Sequence, residues 1–492
     1  MRYENGEKKP NMIEMMTNLK NSTDFLQMVI HGKDIRFWLS YYRTMVDPAV
    51  LEKLILTPLS HKEWSSLEDI SKIVPIEDIV ITIDTDMIKQ KALGGYIIIA
   101  LTEYGSPAAV IKAPVSNNRS VTLPEVEFSV IGPKESFVEA LDTNINLIRK
   151  RLATSELQVI ETQVGNLSST KIAVMYIEGI ADPDNVQTVW QRLNDIDFDL
   201  INDSSMITQL ISDNKYSPFP QLLDTERPDR IAAALAEGKV SIAVNGSPQL
   251  LIGPTTFVEF FAAFDDYYYN WIVASFFRIV RLFSVTFSIL ITPVYVAVLN
   301  YHYELVPRDL LNTVITSRRD VPFPPILEAI FLELTIELLR EAGARLPTKV
   351  GQTIGIVGGI VIGTASVEAG LTSNILLIVV ALTALASFTT PVYNMGNTIR
   401  ILRFPLLLLA NQYGLLGIVY GLSFLMVHLL KLTSLGRPYL EPIFPMRPND
   451  IKDAIFRAPF SKMYKRPVFL RPQRIGKFNI ANVKKKNDGN QK

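Results

Sequence analysis

Cysteine is absent from all 492 residues of this sequence. The chain therefore contains no disulfide, no thiolate zinc site and no cysteine nucleophile. Histidine is scarce as well, and its positions lack the spacing of a metal-ligand set. They are His31, His61, His302 and His428. We expect neither a metal centre nor a cofactor.

The sequence also lacks the motifs of common enzymes. It contains no P-loop, no ordered Ser/His/Asp set and no G-x-G-x-x-G fingerprint after a strand. Scattered acids such as Asp182 and Asp184 have the setting of turn and helix-cap residues. We expect the protein not to be an enzyme.

An apolar run is missing from the N-terminus, where residues 1–24 are polar. Because a secretory signal peptide requires such a run, we expect none, and we expect the N-terminal region to lie in the cytoplasm.

The formal net charge is zero, but the two signs are unevenly distributed. Residues 431–492 contain 15 Lys and Arg against 4 Asp and Glu. This basic C-terminal tail, over 432–492, is expected near anionic lipid head groups on the cytoplasmic side. Nucleic acid is a weaker candidate partner, because the basic residues lack an interleaved aromatic platform.

The first half of the chain predicts a soluble domain with two α+β or α/β lobes. Residues 24–45 carry an apolar stripe at helical spacing, which predicts a helix within a helical stretch over 25–80. Two apolar runs, at 96–101 and 108–111, surround a Gly-Ser-Pro turn and predict a β-hairpin.

The hairpin pattern recurs at 238–243 and 246–252 with a shorter turn. We therefore expect two related subdomains, over residues 1–130 and 131–264. The second should contain a helix over 137–152, a strand over 171–178 and a helix over 184–193.

Residues 213–230 are too rich in proline and charge for a regular element. Four of their charged side chains form either a ligand site or a solvated salt-bridged loop, and we favour the loop. They are Glu226, Arg227, Asp229 and Arg230.

Residues 265–431 predict an α-helical transmembrane domain with at least four apolar spans. The spans are expected at 283–299, 350–370, 374–391 and 405–430. Four spans place both termini in the cytoplasm. Arg400 and Arg403 would then lie in a loop on the opposite side, contrary to the usual charge bias.

Residues 325–347 form an ambiguous helical segment, either amphipathic or re-entrant. Glu333, Glu337 and Glu341 share one face, and their carboxylates would be costly against lipid. The segment is either a helix along the membrane surface or a helix whose carboxylates face water at the mouth of a cation pathway. Glu337 or Glu341 could pair with nearby Arg340 or Arg345.

A glycine-rich stretch over 351–368 predicts a tightly packed membrane helix. Its glycines recur every four residues, so one face allows close approach of other helices. A second face is small, apolar and lightly hydroxylated, which suits either packing or the wall of a narrow pore. The glycines are Gly351, Gly355, Gly359 and Gly363, and the second face contains Thr353, Val357, Ile360, Thr364 and Glu368.

Several long stretches resemble the A subunits of bacterial spore germinant receptors, the GerA family. The matching stretches lie between about residue 135 and about residue 410, and the N-terminal 130 residues match more loosely. They include SFVEALDTNINLIRKR (136–151), DNKYSPFPQLLDTERPD (213–229), VPFPPILEAIFLELTIELLREAGARLP (321–347) and GQTIGIVGGIVIGTASVEAGL (351–371).

The resemblance implies a cytoplasmic two-lobed domain, a multi-pass location in the spore inner membrane, and assembly with a transporter-like B subunit and a C-subunit lipoprotein. It further implies an oligomeric, pentameric, ligand-gated cation channel that triggers germination by releasing ions. By this resemblance Ile360 falls at the constriction of the pore.

Two other functions stay open. A solute transporter component would show inverted repeats and broken helices, and no clear repeat is visible among the spans. A germination-amplifying channel homologue of the same family would share most of these features. The sequence leaves the nutrient undetermined.

Overall fold

The computed structural model describes residues 12–115, 124, 127, 131–346 and 348–477, without the side chains of 348–357, 448, 449 and 452. Residues 12–115 form the first lobe, which contains a five-stranded sheet and short helices. Its strands are β1 Phe25–His31, β2 Arg36–Tyr42, β3 Ile79–Thr82, β4 Tyr96–Ala100 and β5 Ala108–Lys112. Its helices are α1 Met12–Lys20, α2 Pro48–Val50, α3 Thr57–His61, α4 Ile70–Ile73 and α5 Thr85–Ala92, with a π-helical stretch Leu51–Leu56 between α2 and α3.

The second lobe repeats this plan. Its strands are β6 Leu157–Val164, β7 Thr170–Ile177, β8 Leu223–Thr225, β9 Val240–Val244 and β10 Leu250–Gly253. Its helices are α6 Leu141–Arg151, α7 Pro183–Asn194, α8 Ser204–Ile211 and α9 Pro228–Glu237. The sheet orders are β1-β2-β4-β5-β3 and β6-β7-β9-β10-β8, with every pairing antiparallel. The hairpins β4-β5 and β9-β10 occupy equivalent places, so the two sheets that contain the recurring hairpin share one strand order. The division into subdomains over 1–130 and 131–264 stays a prediction.

Successive residues along a strand point to opposite faces of the sheet, and both faces of the first sheet are buried. Ile97 and Ile99 of β4 pack in one core with Phe37. Ile98 of the same strand packs in the other core, against α1 and α5. Strands buried on both sides are continuous apolar runs, and for this reason β4 and β5 could be predicted from the sequence.

The helix predicted over 24–45 is wrong, because this segment forms the hairpin β1-β2. Its register pairs Val29 with Trp38, and the turn lies at Gly32. β-branched and aromatic residues favour a pleated sheet surface, and here pairing with β4 decides the conformation. The strand β3 also interrupts the helical stretch predicted over 25–80.

A helical domain follows the lobes. Its helices in the described residues are α10 Trp271–Tyr301, α11 Arg308–Arg318, α12 Pro325–Arg345, α13 Thr348–Glu368, α14 Asn374–Ser387 and α15 Tyr393–Lys431. Among the described residues, α10 and α15 are long and apolar enough to cross a membrane, and α14 is apolar but shorter. The count of four spans stays a prediction.

The helix α15 folds back on itself at Gly414. This glycine has φ 62° and ψ −141°, a backbone conformation that ends a helix. Gly421 then packs so closely beside Leu406 that a Cβ added there would lie 2.4 Å from a Leu406 methyl. On one straight helix these two residues would be about 22 Å apart. Residues 393–413 and 415–431 are therefore antiparallel, and both ends of α15 lie next to the second lobe.

The C-terminal segment packs on the second lobe. Leu432, Tyr439 and Leu440 join its core together with Phe260. The segment contains the short strands β11 Thr433–Ser434 and β12 Arg437–Pro438 and the helix α16 Pro448–Ala454. Some basic residues of the tail, which was expected to face lipid, thus bind other parts of the protein. Arg437, for example, donates to Asp182 and Asn185.

Candidate functional site

Ion pairs cross the interior of the helical domain between α12 and α15. Arg403 donates to Glu333 at 2.5 Å, and both side chains are 2% exposed. Thr292 of α10 donates to the same carboxylate at 3.1 Å, and Arg403 also donates to Ser288 at 3.1 Å. Charges removed from water in this way persist only when they are paired and hydrogen-bonded.

A second ion pair lies beside the first. Arg400 Nε is 3.2 Å from a Glu337 oxygen, and Arg340 is 3.7 Å from the same oxygen. Arg340 also lies over the Phe388 ring, with its guanidinium carbon 4.2 Å from the ring centre. The carboxylates are one helical turn apart on α12 and the arginines three residues apart on α15, so the two faces match.

Arg400 and Arg403 therefore lie within a helix and not in the loop predicted after the third span. Their apparent conflict with the charge bias disappears, because each is neutralised by a glutamate of α12. The sequence contained a signal for this arrangement. Two arginines are three residues apart in one segment, and two glutamates are four residues apart in another. Only the packing of α12 against α15 showed that the two sets meet.

The three carboxylates of the predicted acidic face have different surroundings. Glu333 is buried and Glu337 is half-buried, each beside an arginine of α15. Glu341 is exposed and accepts from Arg345 at 2.5 Å. The pairings of Glu337 with Arg340 and of Glu341 with Arg345 are as predicted, whereas Glu333 does not face water. Glu328 of the same helix accepts from Arg318 and from the Ser373 amide.

The glycine-rich helix α13 packs against α12. A Cβ added at Gly358 would lie 2.8 Å from a Leu339 methyl, so the close approach falls at this position. Among the described residues, nothing lies within 4 Å of a Cβ added at Gly359, and at Gly363 the nearest atom is an ordinary 3.8 Å away. The predicted glycine ridge is thus free of close neighbours in its described half, and Gly351 and Gly355 lie outside the described side chains.

Ile360, Thr364 and Glu368 lie exposed along one side of α13. The Ile360 side chain is 61% exposed, although it is large and apolar. Among the described residues, Glu368 has no ion pair, and the Thr364 hydroxyl donates to the Ile360 carbonyl within the helix. Thr353 and Val357 lie on the same helix, with their side chains outside the described set.

The irregular segment before β8 connects the second lobe to the helices. The Thr398 hydroxyl of α15 donates to the Pro218 carbonyl at 2.5 Å, and Ser217 lies 2.9 Å from His428 at the other end of α15. Tyr439 donates to the Pro220 carbonyl at 2.7 Å. The proline-rich segment before β8 therefore forms a surface onto which α15 and the C-terminal segment dock. From its sequence it was expected only to be irregular.

Charged residues at the end of this segment are buried in ion pairs. Arg227 donates to Asp229 at 2.7 Å, and Arg230 donates to Glu127 at 2.6 Å. Burial acts to raise the pKa of Asp229, but hydrogen bonds from Arg227 and Tyr268 outweigh it and hold this pKa below its usual value. The salt-bridged alternative describes this region, although the pair of Arg227 with Asp229 is buried and the pair of Arg230 with Glu127 is partly buried.

A buried cluster joins the lobe to the base of α10. Asp266 accepts from Arg278 at 2.9 Å and from Arg281 at 3.2 Å. Tyr267 donates to Asp453 of α16 at 2.7 Å, and burial raises the pKa of both of these side chains. The C-terminal segment is thereby linked to the helix that leaves the lobe.

These features define a class of protein in which a two-lobed α+β domain is docked onto a charged helical bundle containing two helices of membrane-crossing length. The profile described as "Bacillus/Clostridium GerA spore germination protein" matches residues 13–469. The chain belongs to this family of spore germination proteins.

Two relatives from Bacillus cereus are similar over nearly the whole chain. Spore germination protein GerQA is 49% identical over 96% of this chain and 95% of its own length. Spore germination protein GerIA is 48% identical over 95% of this chain and 70% of its own. Among solved structures, the N-terminal domain of the A subunit of the Bacillus megaterium spore germinant receptor GerK3 aligns with 52% of this chain and 99% of its own, at 24% identity and a TM-score of 0.39.

Proposed function

We propose that this chain is the A subunit of a nutrient germinant receptor in the spore inner membrane, and that several copies form a gated cation channel. Family membership supports the receptor role. The observation that carries the channel role is the uncovered side of α13, where a large apolar residue, a hydroxyl and a carboxylate without an ion pair among the described residues follow one another at one-turn intervals.

In the proposed closed state, Ile360 side chains from neighbouring copies form a ring that resists wetting. Glu368 adds negative charge two turns away and favours cations. Glu333 and Glu337 do not contribute to selectivity in this proposal, because arginines neutralise them. Their role is to hold α12, and through it α13, against α15.

We propose that the lobes and the C-terminus lie in the cytoplasm. Both ends of α15 lie at the second lobe, so this helix contributes two antiparallel passes and returns the chain to its starting side. Counted with α10, α12, α13 and α14 as single passes, this gives six passes and leaves both termini on one side.

The experiment is conductance in planar bilayers under a potassium gradient. Ile360→Ala should raise the resting cation current about tenfold or more over wild type, because a smaller side chain wets a constriction more readily. Val361→Ala is the matched control, since Val361 is also exposed but points about 100° away around the helix. If wild type and both variants carry no current although they form oligomers, the channel role is refuted.

A transporter component is the competing proposal, and the broken helix α15 is the observation in its favour. The break at Gly414, however, lies beside Tyr301 and His302 at the end of α10, and transporters place such breaks near the bilayer midplane. Saturable uptake of a nutrient by the reconstituted chain would favour the transporter. A germination-amplifying role would leave nutrient recognition intact when the gene is deleted.

We also propose assembly with a transporter-like B subunit and a C-subunit lipoprotein, on the basis of family membership. Affinity purification of the tagged chain from spore inner membranes should recover both, and recovery of the chain alone would contradict this assembly.

A further inference from the structure

A cavity of about 860 Å³ lies where the second lobe, the segment leading into α10 and the C-terminal segment meet. It is separate from the charged bundle and from α13. Its size falls within the range of small-molecule sites, which are often found at junctions between structural units. Its apolar wall contains Ile252 and Val258 of the lobe, Phe264 before α10, and Phe460, Met463 and Phe469 of the C-terminal segment.

The walls of the cavity are held together by fixed polar contacts. Arg466 donates to the Ala236 carbonyl at 2.8 Å and to two carbonyls of its own segment. Lys477 pairs with Glu237 at 2.8 Å, and the Asp450 carboxylate accepts from the Val468 amide at 3.0 Å. These contacts fix the C-terminal segment against α9, so the cavity is a built feature of the fold.

The charge around the cavity is unbalanced. Six basic side chains line it against four acidic ones. Arg230 and Lys239 already pair with Glu127 and Glu259. Lys462 and Lys465 are exposed at the cavity and have no ion pair among the described residues. An apolar interior with cations at its edge that have no ion pair among the described residues is complementary to an anion that has an apolar body.

The cavity also lies close to the proposed membrane surface. Tyr267 and Tyr268 line it, and α10 begins at Trp271, only three residues further on. Tyr and Trp are enriched at the level of lipid head groups. An amphiphile could therefore reach the cavity from the adjoining leaflet or from solution.

We propose that this cavity binds an amphiphilic organic anion, with its apolar body among the phenylalanines and its carboxylate or phosphate near Lys462 and Lys465. Such a ligand contacts the lobe, the start of α10 and the C-terminal segment together. It therefore stabilises the arrangement in which these three parts are docked.

The test is photo-crosslinking of the full-length protein in nanodiscs. One probe is a diazirine-labelled palmitic acid, and a second is a diazirine-labelled phosphatidylglycerol, so that a free acid and a membrane lipid are distinguished. The uncharged diazirine-labelled alcohol of the same length serves as the control probe. At least one anionic probe should label peptides from 256–268 and 458–469 about tenfold more than the alcohol does, and equal labelling by all three would overturn the proposal.

Two pairs of variants test whether the cavity is the site. Ala233→Trp fills the cavity and should reduce labelling about tenfold, whereas Ala232→Trp on the same helix does not line it and should leave labelling unchanged. The double variant Lys462→Glu with Lys465→Glu should reduce labelling by the anionic probes alone, with Lys171→Glu on β7 as its control. If labelling is unchanged both in Ala233→Trp and in the double lysine variant, the cavity is not the site.

A competing occupant is the end of the chain itself, since Lys477 lines the cavity and residues 478–492 follow it. Deletion of 478–492 should leave labelling within about twofold of wild type. Labelling that arises only after this deletion would show that the terminal segment fills the cavity, and would overturn the ligand proposal. The conductance of the channel is a separate measurement, so either proposal can fail alone.

Discussion

The Arg403 guanidinium and the Glu333 carboxylate form an ion pair of 2.5 Å inside the helical domain, with both side chains 2% exposed. Removing either partner leaves an uncompensated buried charge. We expect Glu333→Ala or Arg403→Ala to lower the free energy of unfolding by about 3–5 kcal/mol, measured by denaturant unfolding in detergent.

The double variant Glu333→Leu with Arg403→Met should be less destabilised than either single variant, because both charges leave together. Glu341→Ala is the control, since its pair with Arg345 is exposed and should contribute less than about 1 kcal/mol. Additive single effects would contradict a coupled pair.

Gly414 has a backbone conformation that other residues rarely adopt, and a Cβ there would lie 3.2 Å from Tyr301 Cβ. Gly414→Ala should therefore destabilise the protein by about 1–3 kcal/mol. Gly343→Ala in α12 should stabilise it by about 0.5–1 kcal/mol, because that glycine is helical and nothing described lies within 4 Å of the added Cβ. Thermal unfolding of both variants measures the contrast, and equal shifts would contradict the turn at Gly414.

The two lobes are joined by Arg149 of α6 and Asp24 beside β1. Arg149 donates to both carboxylate oxygens, at 2.6 and 2.5 Å, and its guanidinium lies 4.3 Å from the Tyr42 ring centre. Arg149→Ala should lower the free energy of unfolding by about 3–5 kcal/mol. Arg149→Lys should recover little of this, since lysine cannot form the bidentate pair.

The matched control for this pair is Arg151→Ala on the same helix, whose partner Glu135 is half exposed. It should cost less than about 1 kcal/mol. A milder loss in Arg149→Ala than in Arg151→Ala would show that the lobes are held mainly by other contacts.

Asp213 attaches the strand β11 to the second lobe. Its carboxylate accepts from Thr433, Arg192 and the Gly436 amide. Burial acts to raise its pKa, but these hydrogen bonds outweigh burial and hold the pKa below its usual value. A carboxyl group with a depressed pKa in the folded state stabilises the protein above its unfolded pKa, of about 3.9, and loses this effect as the pH falls further.

We therefore expect residues 433–439 to become sensitive to pepsin below about pH 3.9, earlier in a titration than the strands of the lobe. At neutral pH, Asp213→Asn should speed amide exchange in this segment at least tenfold, with the exposed Asp197→Asn as the control. Exchange rates that match wild type would show that Asp213 does not hold the strand.

Several elements were determined by local sequence alone. The hairpins β4-β5 and β9-β10 are continuous apolar runs around turns, and their recurrence predicted the equivalence of the lobes. The apolar helix α10 and the helices α6 and α7 follow from periodicity, and the Asp182 cap follows from its position before Pro183. In these cases neighbouring residues in the chain supply most of the interactions, so the pattern and the conformation agree.

Other features depended on partners that are distant in sequence. The segment 24–45 has an apolar stripe compatible with a helix, and its pairing with β4 makes it a hairpin. Arg400 and Arg403 resemble loop residues until α12 brings Glu337 and Glu333 against them. The break at Gly414 divides an apolar run that looks continuous in the sequence. A single glycine within an apolar run does not by itself predict a turn, but here it adopts the positive φ of one. Local sequence thus determined where chain segments could form regular structure, and long-range packing and charge pairing decided which conformation and which partners they took.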